Sequence, residues 1–190
     1  MSPRFIGVFL CLAMFAVASP ACASPQGQSH PPAQAHPPSQ AHPPVLVKAD
    51  RVLVVKSERR LYLLRSGNVF ASYRVALGGN PVGPKIFEGD GRTPEGNYVL
   101  SGKNENSRFH RSIRVSYPSP SDRQRAWTYG GPPGGDIMIH GQPDPGNKSA
   151  LKRIALAPSS WTDGCIAVDN AAMDQIWAAV DDATPIEILP

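Results

Sequence analysis

The segment Trp161-Thr162-Asp163-Gly164-Cys165-Ile166-Ala167-Val168 carries the only cysteine beyond the first 22 residues of the chain. Cys165 to Val168 reads as a short strand, and Gly164 in front of it marks a tight turn. Upstream, Asp136-Ile137-Met138-Ile139 reads as a short buried strand that ends in His140, with Gly141 directly after it. One strand opens on a thiol and the other closes on an imidazole. Cysteine reacts as the thiolate, and a neighbouring imidazole is the usual means of forming it near neutral pH. Only His110 and His140 lie beyond the first 44 residues, and His140 is the better partner because it ends an apolar run. A carbonyl at the Gly141 turn would orient its ring, as the third member of a triad does. Gly164 would let the backbone approach a reacting carbonyl, making the amides of residues 163 to 165 candidate oxyanion donors. A thiol activated in this way is expected to titrate below the free-cysteine value of about 8.5.

Outward from this pair the pattern is mostly β. Val52 to Val55, Leu61 to Leu64 and Val69 to Leu77 are rich in β-branched or aromatic residues. Ser66-Gly67-Asn68 separates the last two, so an antiparallel meander is expected. Asn97 to Leu100 and Ile113 to Tyr117 read as further strands, with the polar stretch Gly102 to His110 as a loop between them. Ser119-Pro120-Ser121-Asp122 has the order of a helix start, with serine as cap, proline in the first turn and an acid facing the exposed amides. That helix should end by Tyr129, because Gly130-Gly131-Pro132-Pro133-Gly134-Gly135 cannot continue it. Ser149 to Ala157 reads as a short helix. Asp169 or Asn170 caps another, with Met173, Ile176, Trp177 and Val180 on its core face. Pro185 to Leu189 is the last strand. The order predicts a mainly β domain with short helices.

The N-terminal region is read as an export signal followed by a spacer. Arg4 precedes the apolar run Phe5 to Val17, and Ala21-Cys22-Ala23 supplies a small-x-small cleavage pattern. Residues 1–23 are therefore expected to be removed, leaving Ser24 first and Cys165 as the sole thiol. Exported chains normally pair their cysteines, so one unpaired thiol is notable. Residues 24–44 repeat His-Pro-Pro at His30, His36 and His42, and proline at this density with few apolar residues makes an extended linker. Residues 45–190 have a normal single-domain length. A formal net charge of +4 is compatible with an anionic envelope polymer and decides little. No basic run interleaved with aromatics suggests nucleic acid.

Ile139-His140-Gly141, followed by Thr162-Asp163-Gly164-Cys165-Ile166, resembles the signature of the YkuD-type L,D-transpeptidase catalytic domain. Arg92-Thr93-Pro94-Glu95-Gly96 is similar to that family's Thr-Pro-x-Gly. Gly89 to Gly96, Ser107 to His110, Ser116 to Pro118, Gly134 to Gly141 and Trp161 to Val168 together resemble its YafK-like branch. The resemblance implies a β-sandwich or barrel-like catalytic domain, with Cys165 as nucleophile, His140 as general base and acid, and Gly141 orienting the histidine. Thr162, Asp163 and Gly164 support the nucleophile. The implied substrate is the stem peptide of peptidoglycan in the periplasm or cell envelope. The thiol attacks the carbonyl of the third residue, D-alanine leaves, and an amine takes the acyl group. That amine belongs to another stem peptide or to a wall-anchored envelope protein. Water as acceptor would make the enzyme a carboxypeptidase or amidase. Neither cofactor nor metal is implied.

Asp163 occupies a place where the family often has histidine, and Ala167 one where arginine is common. The interval between His140 and Cys165 is also long, which suggests an insertion around Pro143 to Pro158. A substrate carboxylate would then need another cation, with Arg108, Arg114 and Arg153 as candidates. Two other classes compete. A zinc peptidase using His140, Asp144 and Asp136 lacks any H-E-x-x-H pattern. A non-catalytic wall-binding module would require Cys165 to be an inert buried thiol.

Overall fold

The structure is a computed structural model and describes residues 47–190. The expected export signal and the His-Pro-Pro linker lie outside the described residues.

Alternating apolar residues build the first strands. In β1 (Arg51–Val55) Val52 and Val54 are buried, and in β2 (Arg60–Arg65) Leu61 and Leu63 are, the period of two that a half-buried strand requires. β3 (Asn68–Arg74) follows the Ser66-Gly67 turn, and β1, β2 and β3 form the expected antiparallel meander. β8 (Pro185–Leu189) then inserts beside β1 in parallel, with Ile186 and Ile188 buried. β4 (Gly96–Ser107) runs antiparallel to β8 and continues into a pairing with β5 (His110–Val115). β6 (Met138–His140) and the two-residue β7 (Ile166–Ala167) complete an eight-stranded sheet in the order β3-β2-β1-β8-β4-β5-β6-β7.

The two ends of that order meet. Just beyond β3, Ala76 exchanges backbone hydrogen bonds of 2.8 Å with Ala167 in β7, and Gly78 bridges Thr162. The sheet therefore closes into a barrel-like form around one core. α3 (Asn170–Ala179) seals that core with Met173 and Ile176, both fully buried, and Trp177 packs partly exposed at its margin.

One expectation is corrected. Gly102 to Ser107 is not a loop but the second half of β4, joined to β5 through two irregularities in register. Its residues are polar because this half carries mainly exposed or half-buried side chains, so no apolar alternation marks it. The helices agree with the sequence. α1 (Pro120–Thr128) begins with a full capping box between Ser119 and Asp122 and ends at Tyr129. α2 (Lys148–Leu156) is capped by Asn147, and α3 by Asp169, whose carboxylate accepts from the Ala172 amide at 2.7 Å. Among the described residues no helix is long and apolar enough to cross a membrane.

Candidate active site

The turn before Cys165 is built by its own threonine. The Thr162 hydroxyl donates to the Cys165 carbonyl at 2.7 Å and accepts from the Gly164 amide at 3.2 Å. That contact occupies the Gly164 N–H, leaving the amides of Asp163 and Cys165 as the candidate oxyanion donors. The turn rests on the Thr93-Pro94 segment. Gly164 has φ +131°, and a Cβ there would lie 2.6 Å from the Arg92 carbonyl oxygen, so both backbone angle and space require glycine. Beneath, the buried Thr93 hydroxyl accepts from the Gly78 amide at 3.1 Å. Asp90 organises the approach to this segment. It accepts from the amides of Ile86 and Arg92 and pairs with buried Lys85 at 2.8 Å. Burial opposes its charge, but these donors hold the carboxyl below its ordinary value.

β6 and β7 run parallel, with Ile139 opposite Ile166 and His140 opposite Ala167. Continued by one residue, this register puts Cys165 and His140 on one face of the sheet, diagonally related. Both line a cavity of about 480 Å³. His140 is buried, and its Nδ1 lies 2.8 Å from the Gly141 carbonyl oxygen. A carbonyl can only accept, so Nδ1 carries the proton and Nε2 is the free acceptor. The ring is held between Phe109, at a centroid distance of 4.6 Å, and Trp161, at 5.6 Å. Gly141 is closely packed: a Cβ there would lie 2.6 Å from Asn170 Oδ1 and 3.0 Å from the Phe109 carbonyl oxygen, and Asn170 Oδ1 also accepts from the Gln142 amide at 2.7 Å. His110 is elsewhere, bonded through Nε2 to Asp174 at 2.7 Å.

The electrostatics differ from the expectation of a depressed thiol. Cys165 is half-buried and its thiol donates to the Asp136 carbonyl at 3.4 Å. Burial pushes it up to about 11, the Asp163 and Asp136 carboxylates adding to the effect and the Met138 amide opposing it. Burial likewise pushes His140 down to about 4, against the pull of the Gly141 carbonyl. The reason is desolvation of both charged forms. The site rests as neutral thiol and neutral imidazole.

All three candidate arginines border the cavity. Arg114 pairs with Asp136 at 2.6 Å and Arg153 with Asp163 at 2.7 Å, both pairs partly solvent-exposed. Arg108 has no ion pair among the described residues. Arg153 comes from α2, the helix that lies between His140 and Cys165 in the chain. Ala167 is buried in a small cluster with Ala76, Ala150 and Trp161, flanked by Ile154. Two residues of α2 thus occupy the space above it. Among the described residues, His140, Asp136 and Asp144 do not form a group able to hold a metal ion. Sequence reasoning missed the Phe109 and Trp161 clamp, the Asn170 contact and the Asp136 carbonyl. Phe109 and Trp161 sit within the quoted motifs, but nothing in their spacing ties them to His140.

The barrel-like sheet thus brings a half-buried thiol and a carbonyl-oriented histidine to one cavity. Residues 49–188 match the family model described as the L,D-transpeptidase catalytic domain, YkuD, and the chain belongs to that family. It is 27% identical over 139 residues to YafK of Escherichia coli (strain K12), a match covering 70% of this chain and 47% of that protein. The crystal structure of the helical cell shape determining protein Pgp2 from Campylobacter jejuni is similar at a TM-score of 0.54 and 26% identity. That similarity covers 73% of this chain and 46% of Pgp2. The chain thus spans about half the length of these relatives.

Proposed function

We propose that this protein is an exported L,D-transpeptidase that acts on peptidoglycan stem peptides through a Cys165 thioester. The observation that carries the reading is the shared cavity, in which an Nδ1-anchored His140 offers Nε2 on the face that bears Cys165. Substrate binding turns the sulfur from the Asp136 carbonyl toward Nε2. His140 takes the thiol proton as Sγ bonds to the carbonyl carbon of the third stem residue, and the amides of Asp163 and Cys165 receive the oxyanion. The bond to D-alanine then breaks, and His140 passes its proton to the leaving amine. An acceptor amine attacks the thioester, gives its proton to His140, and the sulfur leaves and is reprotonated. Arg108, Arg114 and Arg153 form the cationic rim for substrate carboxylates. Export by residues 1–23, the spacer 24–44 and an envelope location belong to the same proposal.

Hydrolytic release of a wall-linked protein is the second reading. It is favoured by α2, which adds a wall to the cavity and opens a neighbouring cleft of about 610 Å³ between Arg108, Asp144 and Arg153. Incubation with free tetrapeptide muropeptides and with lipoprotein-bearing sacculi separates the two. Formation of 3→3 dimers without protein release supports transpeptidation, and protein release without dimers supports hydrolysis.

A further inference from the structure

Behind the catalytic cavity lies a second cleft of about 590 Å³, at the seam where Ala76 bridges Ala167. Trp161 is the partition, lining both spaces and meeting His140 on the catalytic side. Val75, Ala76, Ala167 and Ile154 give the second cleft apolar surface, and Arg59, Arg60 and Arg74 give it charge.

These arginines form no ion pair among the described residues. Arg51, Arg111, Arg114, Arg125 and Arg153 each pair with a carboxylate. Among the described residues Arg59, Arg60 and Arg74 do not, nor do Arg65, Arg92, Arg108 and Arg123, and what distinguishes the three is that they line one cleft. Arg59 donates to the Ser159 carbonyl and to Ser160 Oγ, and Arg60 to Ser72 Oγ at 3.1 Å. Arg74 makes no side-chain hydrogen bond among the described residues. Arg60 and Arg74 are direct cross-strand partners, a placement that like charges make unfavourable. Arg59 has φ 55°, a left-handed conformation that costs a non-glycine residue about 1 kcal/mol or more. Glu58 and Asp169 border the same cleft without an ion pair to these arginines among the described residues; Glu58 accepts from the Tyr62 hydroxyl through one oxygen and Asp169 caps α3 through one of its own.

We infer that this cleft is a second binding site, which takes a peptide end carrying both a free carboxylate and a free ammonium group. The arginines match the carboxylate, Glu58 and Asp169 match the ammonium, and the apolar surface takes short side chains. Two acids in the lining disfavour a polyphosphate. Stem peptides that contain a diamino acid have this chemistry, an identification that rests on the proposed function. The enzyme would then hold one stem in this cleft while the catalytic cavity works on another.

The test uses the full chain carrying Cys165→Ala, so that binding is read without turnover. The paired substitution Arg60→Gln and Arg74→Gln should weaken co-sedimentation with sacculi about tenfold, as loss of two charge-assisted contacts predicts. The melting temperature should stay level or rise, because a like-charge contact is gone. Arg74→Lys, which keeps the charge, should retain part of the binding. A synthetic tetrapeptide with a diamino acid at its third position should compete with sacculi, and inorganic polyphosphate should compete less well. Unchanged sedimentation, a fall in melting temperature that accounts for the loss, or better competition by polyphosphate would each overturn the inference. In the chain that retains Cys165, the paired variant should turn over the soluble tetrapeptide at the parent rate. Failure of the parent chain to do so would count against the proposed function, while the sedimentation comparison would still stand.

Discussion

His140 and Cys165 are displaced in opposite directions by the same force, with the imidazole at about 4 and the thiol at about 11. Neither group is charged at rest, so in the proposed mechanism substrate binding, not a standing ion pair, triggers proton transfer. Alkylation of the free enzyme by iodoacetamide should therefore be slow at neutral pH and accelerate only in the alkaline range. His140→Gln should leave that profile nearly unchanged while lowering turnover by about 10⁴-fold. A profile rising below the free-cysteine range would show that the resting pair is ionised. The histidine also has a stability signature. Its folded value lies below the ordinary 6.5, so the unfolded chain binds the extra proton between these two values. Stability is complete above that window and is lost as pH falls through it, by about 3 kcal/mol in all. Denaturant titrations between pH 7 and 4 should show this loss, and His140→Gln should remove it.

At the scale of elements, the local signals were the readable ones. Ser119 and Asp122 announce α1 through a capping box, and Asp169 announces α3, because caps depend on neighbours in sequence. The strand carrying His140 and the turn carrying Cys165 were legible for the same reason. The second half of β4 was not, since partners across the sheet, not its own apolar pattern, make it a strand. Nor were the parallel pairings β1–β8 and β6–β7, or the ring clamp on His140, all of which join residues distant in the chain. α2 also sets the surroundings of Ala167. Ala150 and Ile154 pack with Ala167, so Ala167→Arg would force a long charged side chain into space these residues fill. It should destabilise the protein by about 3 kcal/mol or more and add no substrate affinity, as thermal melts and KM would report. Restored or improved KM in a stable protein would contradict this packing argument. The Thr162 turn gives a second test. Thr162→Val removes both hydroxyl contacts and should lower kcat more than it changes KM, whereas Thr162→Ser should retain most activity.

For the whole molecule, barrel closure is what makes the site. The Ala76–Ala167 bridge and the Thr162 contacts with Leu77 and Gly79 tie the cysteine turn to the extended segment just beyond β3. Cys165 is thereby fixed by both edges of the sheet, which explains why its motif lies so far in sequence from the Thr93-Pro94 segment beneath it. The expected export signal and spacer would present this barrel to the wall, and N-terminal mass measurement of the exported protein should find Ser24 first, without lipid. The central claim is covalent catalysis by Cys165. Its most direct measurement is the intact mass of the protein, quenched in acid during reaction with a synthetic stem tetrapeptide. An adduct on Cys165 equal to the tripeptide acyl group is expected, with D-alanine released and no adduct in Cys165→Ser. Turnover of the tetrapeptide by Cys165→Ser, or by the parent chain with an acyl group on any other residue, would contradict it.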